Sequence, residues 1–230
     1  MNKNNEIVII DYKLGNLFSI YEACLKVGLK PVISSDIKII KKANAIILPG
    51  VGSFGEAMIN LRRLDLISVI REYAESGKPL MGICLGMQIL FEESEEFGIN
   101  KGLGILKGSI TKFPSKSNGI KIKVPQVGWN KIQKPKGSDW SLSPLMNINP
   151  GSFMYFVHSF YANPSNHEDI LTLTSYYDIT YASSVFRKNI FACQFHPEKS
   201  AYEGLKIYSN YKKQLSKLKK SSIGKKEKMS

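Results

Sequence analysis

The chain has 230 residues, 43% of them hydrophobic and 22% charged, the balance of a soluble globular fold with a sizeable core rather than of a disordered chain. No apolar run approaches the ~20 residues of a membrane helix, and the start, MNKNNEIVII, lacks a signal peptide's longer apolar region and cleavage site, so a cytoplasmic protein is expected. The net charge of +13 does not argue for nucleic acid: the last 20 residues hold eight lysines against one glutamate, leaving +6 for the rest, and no nucleic-acid motif accompanies them.

In chain order, EIVII (Glu6–Ile10) is a short apolar strand ending at Asp11. Over 16–27, Leu17, Ile20, Tyr21, Cys24 and Leu25 share one helical face, and Gly28 is a stop. PVIS is a second strand, and AIIL, a third, runs into Pro49-Gly50-Val51-Gly52. Residues 61–75 read as one helix or two short ones closed by Gly77, PLMGI as a fourth strand, and 85–93 as helix. Strands alternating with helices imply parallel βαβ units. The second half is β-rich, with SITKF, IKIKVPQVGW, SFMYFVHSFY, ILTLTSYY, YASSVF and NIFACQF punctuated by Gly, Pro and Asn, and 204–218 closes it as a helix. Antiparallel pairing is expected for several of these strands. No repeat or linker divides the chain. The expectation is one α/β domain over 1–211 around a mixed sheet, followed by a lysine-rich, flexible tail over 212–230.

Three cysteines, Cys24, Cys84 and Cys193, make no disulfide framework and no Cys-x-x-Cys pair. With His158, His167 and His196 dispersed, no structural zinc site is expected. Cys84 stands apart because Gly82 and Gly86 bracket it at a strand end. Gly-x-Cys-x-Gly between strand and helix has the form of a nucleophile elbow, whose tight turn needs small neighbours. A helix N-terminus beside the thiol favours the thiolate, and the N–H of Leu85 can meet a developing oxyanion. The bland alternative is a core cysteine at a tight turn.

A base is available in ACQFHPEKS, where His196 follows a strand and Glu198 stands two residues on. Cys84, His196 and Glu198 then supply nucleophile, base and orienting carboxylate. His158, in YFVHSF, is the rival base; His167, in a polar loop, reads as a surface residue. The loop LPGVGSFGEAM over 48–58 fits neither dinucleotide nor P-loop phosphate motifs. Gly50 and Gly52 would let backbone N–H groups approach a substrate, with a second oxyanion donor near Val51 or Gly52.

Together the segments IIDYKLGNL, ILPGVGSFGEAM, PLMGICLGMQILFEESEE, GLGIL, VPQVGWN, YFVHSFY and QFHPEKS, in that order, resemble the class I (triad) glutamine amidotransferases. Within them, the likeness is greatest to the glutaminase subunits of imidazole glycerol phosphate synthase, of histidine biosynthesis. The resemblance implies a flavodoxin-like, three-layer α/β fold with a mixed, mainly parallel sheet over 1–211. It implies hydrolysis of glutamine to glutamate and ammonia through a γ-glutamyl thioester on Cys84, with no cofactor or metal. Gln88 and Glu96 match positions that hold the glutamine's polar ends, Ser159 and Phe160 a segment whose backbone fixes it, and Gly50 and Gly52 the oxyanion strand. The implied partner is a (β/α)8-barrel cyclase that receives the ammonia in a heterodimer, with Asn16, Trp129 and Asn130 near the interface. Trp129 could equally be a core aromatic.

Two positions depart from the family pattern: Lys13 stands where Gly is usual, and Gln126 where His is usual. Both lie in interface segments, so chemistry is expected to be retained while partner and regulation are open. The alternatives are a paralogue supplying ammonia for acetamidino-sugar synthesis in surface polysaccharide or flagellin modification, and a free-standing γ-glutamyl hydrolase. A non-enzymatic scaffold would not need all three triad residues.

Overall fold

In the computed structural model, which describes residues 6–226 and side chains over 7–215, the first half alternates strand and helix as expected. β1 (Glu6–Ile10), α1 (Leu17–Lys26), β2 (Lys30–Ser34), α2 (Ile37–Lys42), β3 (Ile46–Leu48), α3 (Phe54–Arg63), α4 (Leu66–Glu75), β4 (Leu80–Ile83) and α5 (Leu85–Gln88) follow one another. The short α2 has no periodic stripe to announce it, but Asp36 caps it, its Oδ1 accepting from Lys38 N at 2.7 Å and Ile39 N at 3.0 Å. The segment read over 61–75 as one helix or two short ones is two, broken at Asp65, which is left-handed (φ 55°), and the first begins earlier, at Phe54. Contrary to the expected 85–93, α5 is a single turn. The N–H groups of Leu103, Gly104, Ile105 and Leu106 take the carbonyls of Ile89, Phe91 and Leu90, and so divert the chain.

The second half is β-rich, with β5 (Glu93–Ser94), β6 (Asn100–Lys101), β7 (Gly108–Lys112), β8 (Lys116–Ser117), β9 (Ile120–Lys121), β10 (Gln126–Lys131), β11 (Phe153–His158), β12 (Phe160–Pro164), β13 (Ile170–Tyr176), β14 (Ile179–Arg187) and β15 (Ile190–Cys193). SFMYFVHSFY is not one strand. It breaks at Ser159, so that β11 pairs with β10 while β12 joins β7 and β14. The closing helix α6 (Ala201–Lys226) starts before the expected 204 and carries residues 212–226 of the lysine-rich segment as helix, in keeping with their Lys, Leu and Gln content, while 227–230 lie outside the described residues.

Among the described residues the main sheet has eleven strands in the order β2-β1-β3-β4-β15-β14-β12-β7-β5-β6, with β13 also on β14. The first five are parallel, and β14 turns antiparallel beside β15. β10–β11 forms a separate two-stranded ribbon. Each parallel strand feeds two cores with period two. Val8, Ile10, Ile46, Leu48, Leu80 and Ala192 face the core under α2, α3 and α4, whereas Ile7, Ile9, Ile47, Met81, Ile83 and Phe191 face the core under α1, α6 and the ribbon. Burying each large aliphatic side chain contributes ~1.5–3 kcal/mol, so both layers are held by the same strands.

This topology positions the site. β4 lies between β3 and β15 in parallel register, with Gly82 opposite Leu48 on one side and Ile83 opposite Cys193 on the other. Residues 49–52, 84–88 and 194–198 therefore leave the sheet together at its carboxyl edge, where open α/β sheets form their crevice.

Candidate active site

Cys84 occupies a strained elbow, with φ 53° and ψ −113°, between β4 and α5. Such a conformation is costly for a non-glycine residue and persists only where its surroundings enforce it. Here they do. Cys84 N donates to Cys193 O at 2.8 Å, and Cys84 O accepts from Met87 N and Gln88 N at 3.0 and 3.2 Å. The glycines have a specific cause. A Cβ on Gly86 would lie inside the Leu48 carbonyl, and one on Gly82 would meet Gly86 O at 3.0 Å. A Cβ on Gly50 would meet the Tyr12 hydroxyl and come within 2.9 Å of Gly86 N. Elbow and glycine loop are thus packed backbone on backbone, and Tyr12 Oη fixes the loop by donating to Pro49 O at 2.5 Å. Gly52 is left-handed at φ 98°, and Val51 is 41% exposed at the loop tip. Leu85 N–H, first in α5, has no acceptor within its own helix.

His196 and Glu198 follow β15, so the strand that pairs with the elbow's own strand delivers them. His196 Nδ1 lies 2.8 Å from Glu198 Oε1, with both side chains almost wholly buried. Pro197 opens the short 3-10 turn that sets this spacing, and Ser200 Oγ donates to His196 O at 2.7 Å. Burial pulls the His196 imidazole down, but the neighbouring Cys84 and Glu198 outweigh it and hold the pKa up at about 10. His196 Nε2, the nitrogen left for Cys84, is buried with no partner at hydrogen-bonding geometry. Glu198 Oε2 and the Tyr208 hydroxyl are likewise buried and unpartnered; burial and then the Glu198 charge push the Tyr208 phenol up.

Gln88, one turn after Cys84, donates from Nε2 to Phe160 O at 3.0 Å and to Gln194 Oε1 at 2.9 Å. Gln194 Nε2 in turn lies 3.6 Å from Cys84 Sγ. The sequence reading passes over Gln194, although it stands in QFHPE two residues before His196. Ser159 sits at the strand break, its carbonyl accepting from Phe113 N at 3.0 Å. Glu96 Oε2 accepts from Phe54 N at 2.5 Å, which ties its loop to the far end of the glycine loop. The rival base His158 is fully engaged elsewhere, with Nδ1 2.7 Å from Phe160 O and Nε2 3.1 Å from Tyr181 Oη. Burial drives its pKa to about 4. His167 is exposed.

The interface candidates divide. Trp129 is 52% exposed on the outer face of β10. Asn16 caps α1, accepting from Ser19 N at 3.3 Å, and Asn130 Nδ2 donates to Ser175 O at 2.8 Å. Among the described residues no cluster of three His, Cys, Asp or Glu side chains could hold a metal ion, and no helix is long and apolar enough to cross a membrane.

A cysteine on a strand–helix elbow, a buried histidine–carboxylate pair on the next strand and a backbone loop pressed on the elbow together suit acyl transfer through a thioester. The sequence carries the identification further. The family model described as Glutamine amidotransferase class-I matches residues 8–211. The chain belongs to the class I glutamine amidotransferases. It is 44% identical over 212 residues to imidazole glycerol phosphate synthase subunit HisH of Aquifex aeolicus, covering 92% of this chain and 98% of that one. It is 43% identical over 208 residues to the protein of the same name from Sulfurimonas denitrificans, covering 90% and 97%. In fold it is similar to PurLQS from Thermotoga maritima (TM-score 0.65, 21% identity, 93% and 98% coverage). It is also similar in fold to a glutamine amidotransferase from the same organism (TM-score 0.59, 15% identity, 94% and 86% coverage).

Proposed function

We propose that the chain is the glutamine-hydrolysing subunit of an imidazole glycerol phosphate synthase, and that Cys84, His196 and Glu198 carry the reaction. The observation that supports it most is the meeting of elbow, histidine–carboxylate pair and glycine loop at one sheet edge, in a chain 44% identical to a HisH subunit. The Cys84 thiolate attacks the side-chain amide carbon of glutamine. The oxyanion is met by Leu85 N–H and by an N–H near Val51 or Gly52. His196, charged and held by Glu198, gives its proton to the departing nitrogen as the C–N bond breaks, which leaves a γ-glutamyl thioester and ammonia. It then takes a proton from water, whose oxygen attacks the thioester; the C–S bond breaks, releasing glutamate and restoring the thiolate. Gln88, Glu96 and the Ser159–Phe160 backbone hold the substrate's polar ends.

The β10–β11 ribbon is the docking face for the partner, a (β/α)8-barrel cyclase. Its strands alternate, turning Gln126 and His158 inward while Val127, Trp129 and Phe153, each at least half exposed, point outward. β11 also walls the site, since Tyr155 O accepts from His196 N at 2.9 Å. Docking there would deliver the ammonia into the barrel instead of into water.

The test is glutamate release from glutamine by the purified chain, alone and with the cyclase subunit plus that cyclase's ribonucleotide ligand. Low activity alone, a large rise in the complex and formation of imidazole glycerol phosphate are expected. High activity alone, unmoved by partner or ligand, would overturn the coupled reading. Stimulation without imidazole glycerol phosphate would assign the ammonia to another acceptor.

A further inference from the structure

Behind the site, three buried polar side chains form a chain of hydrogen bonds that the reaction itself does not use. Gln126 and His158 are direct cross-strand partners on the inner face of the β10–β11 ribbon, and Tyr181 of β14 reaches both. All three are at most 6% exposed. Aromatic rings enclose them, with Phe113 5.3 Å and Phe156 5.8 Å from the His158 ring. Beyond His158 the chain continues through the Phe160 carbonyl to Gln88, Gln194 and Cys84.

Donor counting settles how this chain is polarised. A carbonyl only accepts, so His158 Nδ1, 2.7 Å from Phe160 O, must carry a proton. Burial keeps the imidazole neutral near pH 7. Its Nε2 is then a bare lone pair, and Tyr181 Oη, 3.1 Å away, must give that nitrogen its single proton. Tyr181 Oη can therefore only accept from Gln126. As placed, the Gln126 amide turns Oε1 towards Tyr181 at 2.9 Å and leaves Nε2 buried without a partner. Rotating the amide by half a turn, a change that leaves its shape the same, resolves the donor conflict at Tyr181 and moves the unpartnered position from Nε2 to Oε1. It gives Tyr181 a donor and the stranded Nε2 an acceptor.

We propose that Tyr181 and Gln126 are positioning residues that pin the docking ribbon to the main sheet and lock His158 as the Nδ1–H tautomer, holding the Phe160 carbonyl against Gln88. The glutamine pocket is thereby tied to the strand pair on which the partner docks. The pocket role rests on the proposed glutaminase function. The tautomer does not. Both Gln126 and His158 sit on strands whose outer faces are exposed, so a displacement of the ribbon on docking reaches Phe160 O and Gln88 through His158 without touching Cys84 directly.

Two measurements on the full chain in complex with its partner test this. Long-range nitrogen–proton NMR with labelled histidine, simplified by there being only three histidines, should show His158 neutral with Nδ1 protonated at pH 6–8. An Nε2–H tautomer or a charged ring overturns the proposal whether or not the enzyme is active. Tyr181→Phe keeps the ring and removes only the hydroxyl. It should raise KM for glutamine about fivefold to tenfold with kcat within about twofold, and shrink the stimulation by the partner. Gln126→Leu, which keeps the Tyr181–His158 link, should leave the tautomer intact and lower only the stimulation. If folded Tyr181→Phe has the wild-type KM and stimulation, the brace carries nothing to the pocket and the proposal fails. A wild-type complex that releases no glutamate instead refutes the glutaminase reading, and the NMR result then judges the brace alone.

Discussion

Gly86→Ala probes the contact on which the whole site depends. The added Cβ would overlap the Leu48 carbonyl and stand 3.0 Å from Pro49 O. Both are backbone groups, so no rotamer change relieves the contact, and the glycine loop must retreat by roughly an ångström or more. Helix propensity acts the other way, since Gly→Ala in a helix gains at most about 1 kcal/mol. Overpacking of this kind costs ~1–3 kcal/mol and wins. The net loss of about 1–2 kcal/mol lowers Tm by several degrees in a chain of this size. Activity should suffer more, because a reacting geometry displaced by ~1 Å loses about 100-fold. Gly82→Ala is the milder comparison: its Cβ would meet the movable Leu90 Cδ1 at 2.9 Å and the Gly86 carbonyl at 3.0 Å, without the overlap that Gly86 suffers. Coupled glutamate-release assays on the complex and thermal unfolding by circular dichroism should rank Gly86→Ala well below Gly82→Ala on both counts. A Gly86→Ala protein within about twofold of wild-type kcat and about one degree of its Tm would refute the argument that loop and elbow are built against each other.

The remaining predictions concern protons and the nucleophile. Burial lowers His196 while Cys84, ahead of Glu198, raises it, for a folded pKa of about 10; NMR titration should find that value and see it fall in Cys84→Ala, which should also release no glutamate while keeping its Tm. Since this folded pKa exceeds the unfolded ~6.5, the stabilisation from His196 is complete below ~6.5 and is lost as pH climbs through about 10. His158 runs opposite: lowered to about 4 by burial, it contributes stability that is present above ~6.5 and lost as pH falls towards about 4, so His158→Gln should flatten urea midpoints over that window. Tyr208→Phe removes the buried α6 hydroxyl whose phenol senses the Glu198 charge, and kcat should drop about threefold to tenfold with Tm little changed. An unaltered kcat would show that the phenol serves packing alone.

Much of the parallel half could be read from the sequence because strand and helix periods differ and each strand feeds two cores. The Cys84 elbow was equally visible, since only a close backbone approach demands glycines at 82 and 86. What escaped depends on contacts remote in sequence. The single turn of α5 is set by N–H groups near residue 104, which take the carbonyls of Ile89, Leu90 and Phe91 just beyond it. The break at Ser159 follows from two sheets claiming the two halves of one apolar run. Gln194, Tyr181 and Tyr208 carry no local signal at all: a buried glutamine or tyrosine reads as core until its partner from another strand or helix is known. What distinguishes His158 from His196 is occupancy, both ring nitrogens of His158 being engaged away from Cys84.

The order of strands has a consequence for synthesis. β15 lies in the middle of the sheet, between β4 and β14, yet among the described strands it leaves the ribosome after all the others. Until then β4, with Cys84 at its tip, has an unpaired edge of the kind that invites aggregation. The nascent chain also holds its cysteine without base or carboxylate, because His196 and Glu198 arrive only after that strand. Closing the sheet and bringing His196 and Glu198 to Cys84 are one event, and folding must wait for a long-range insertion that slows it.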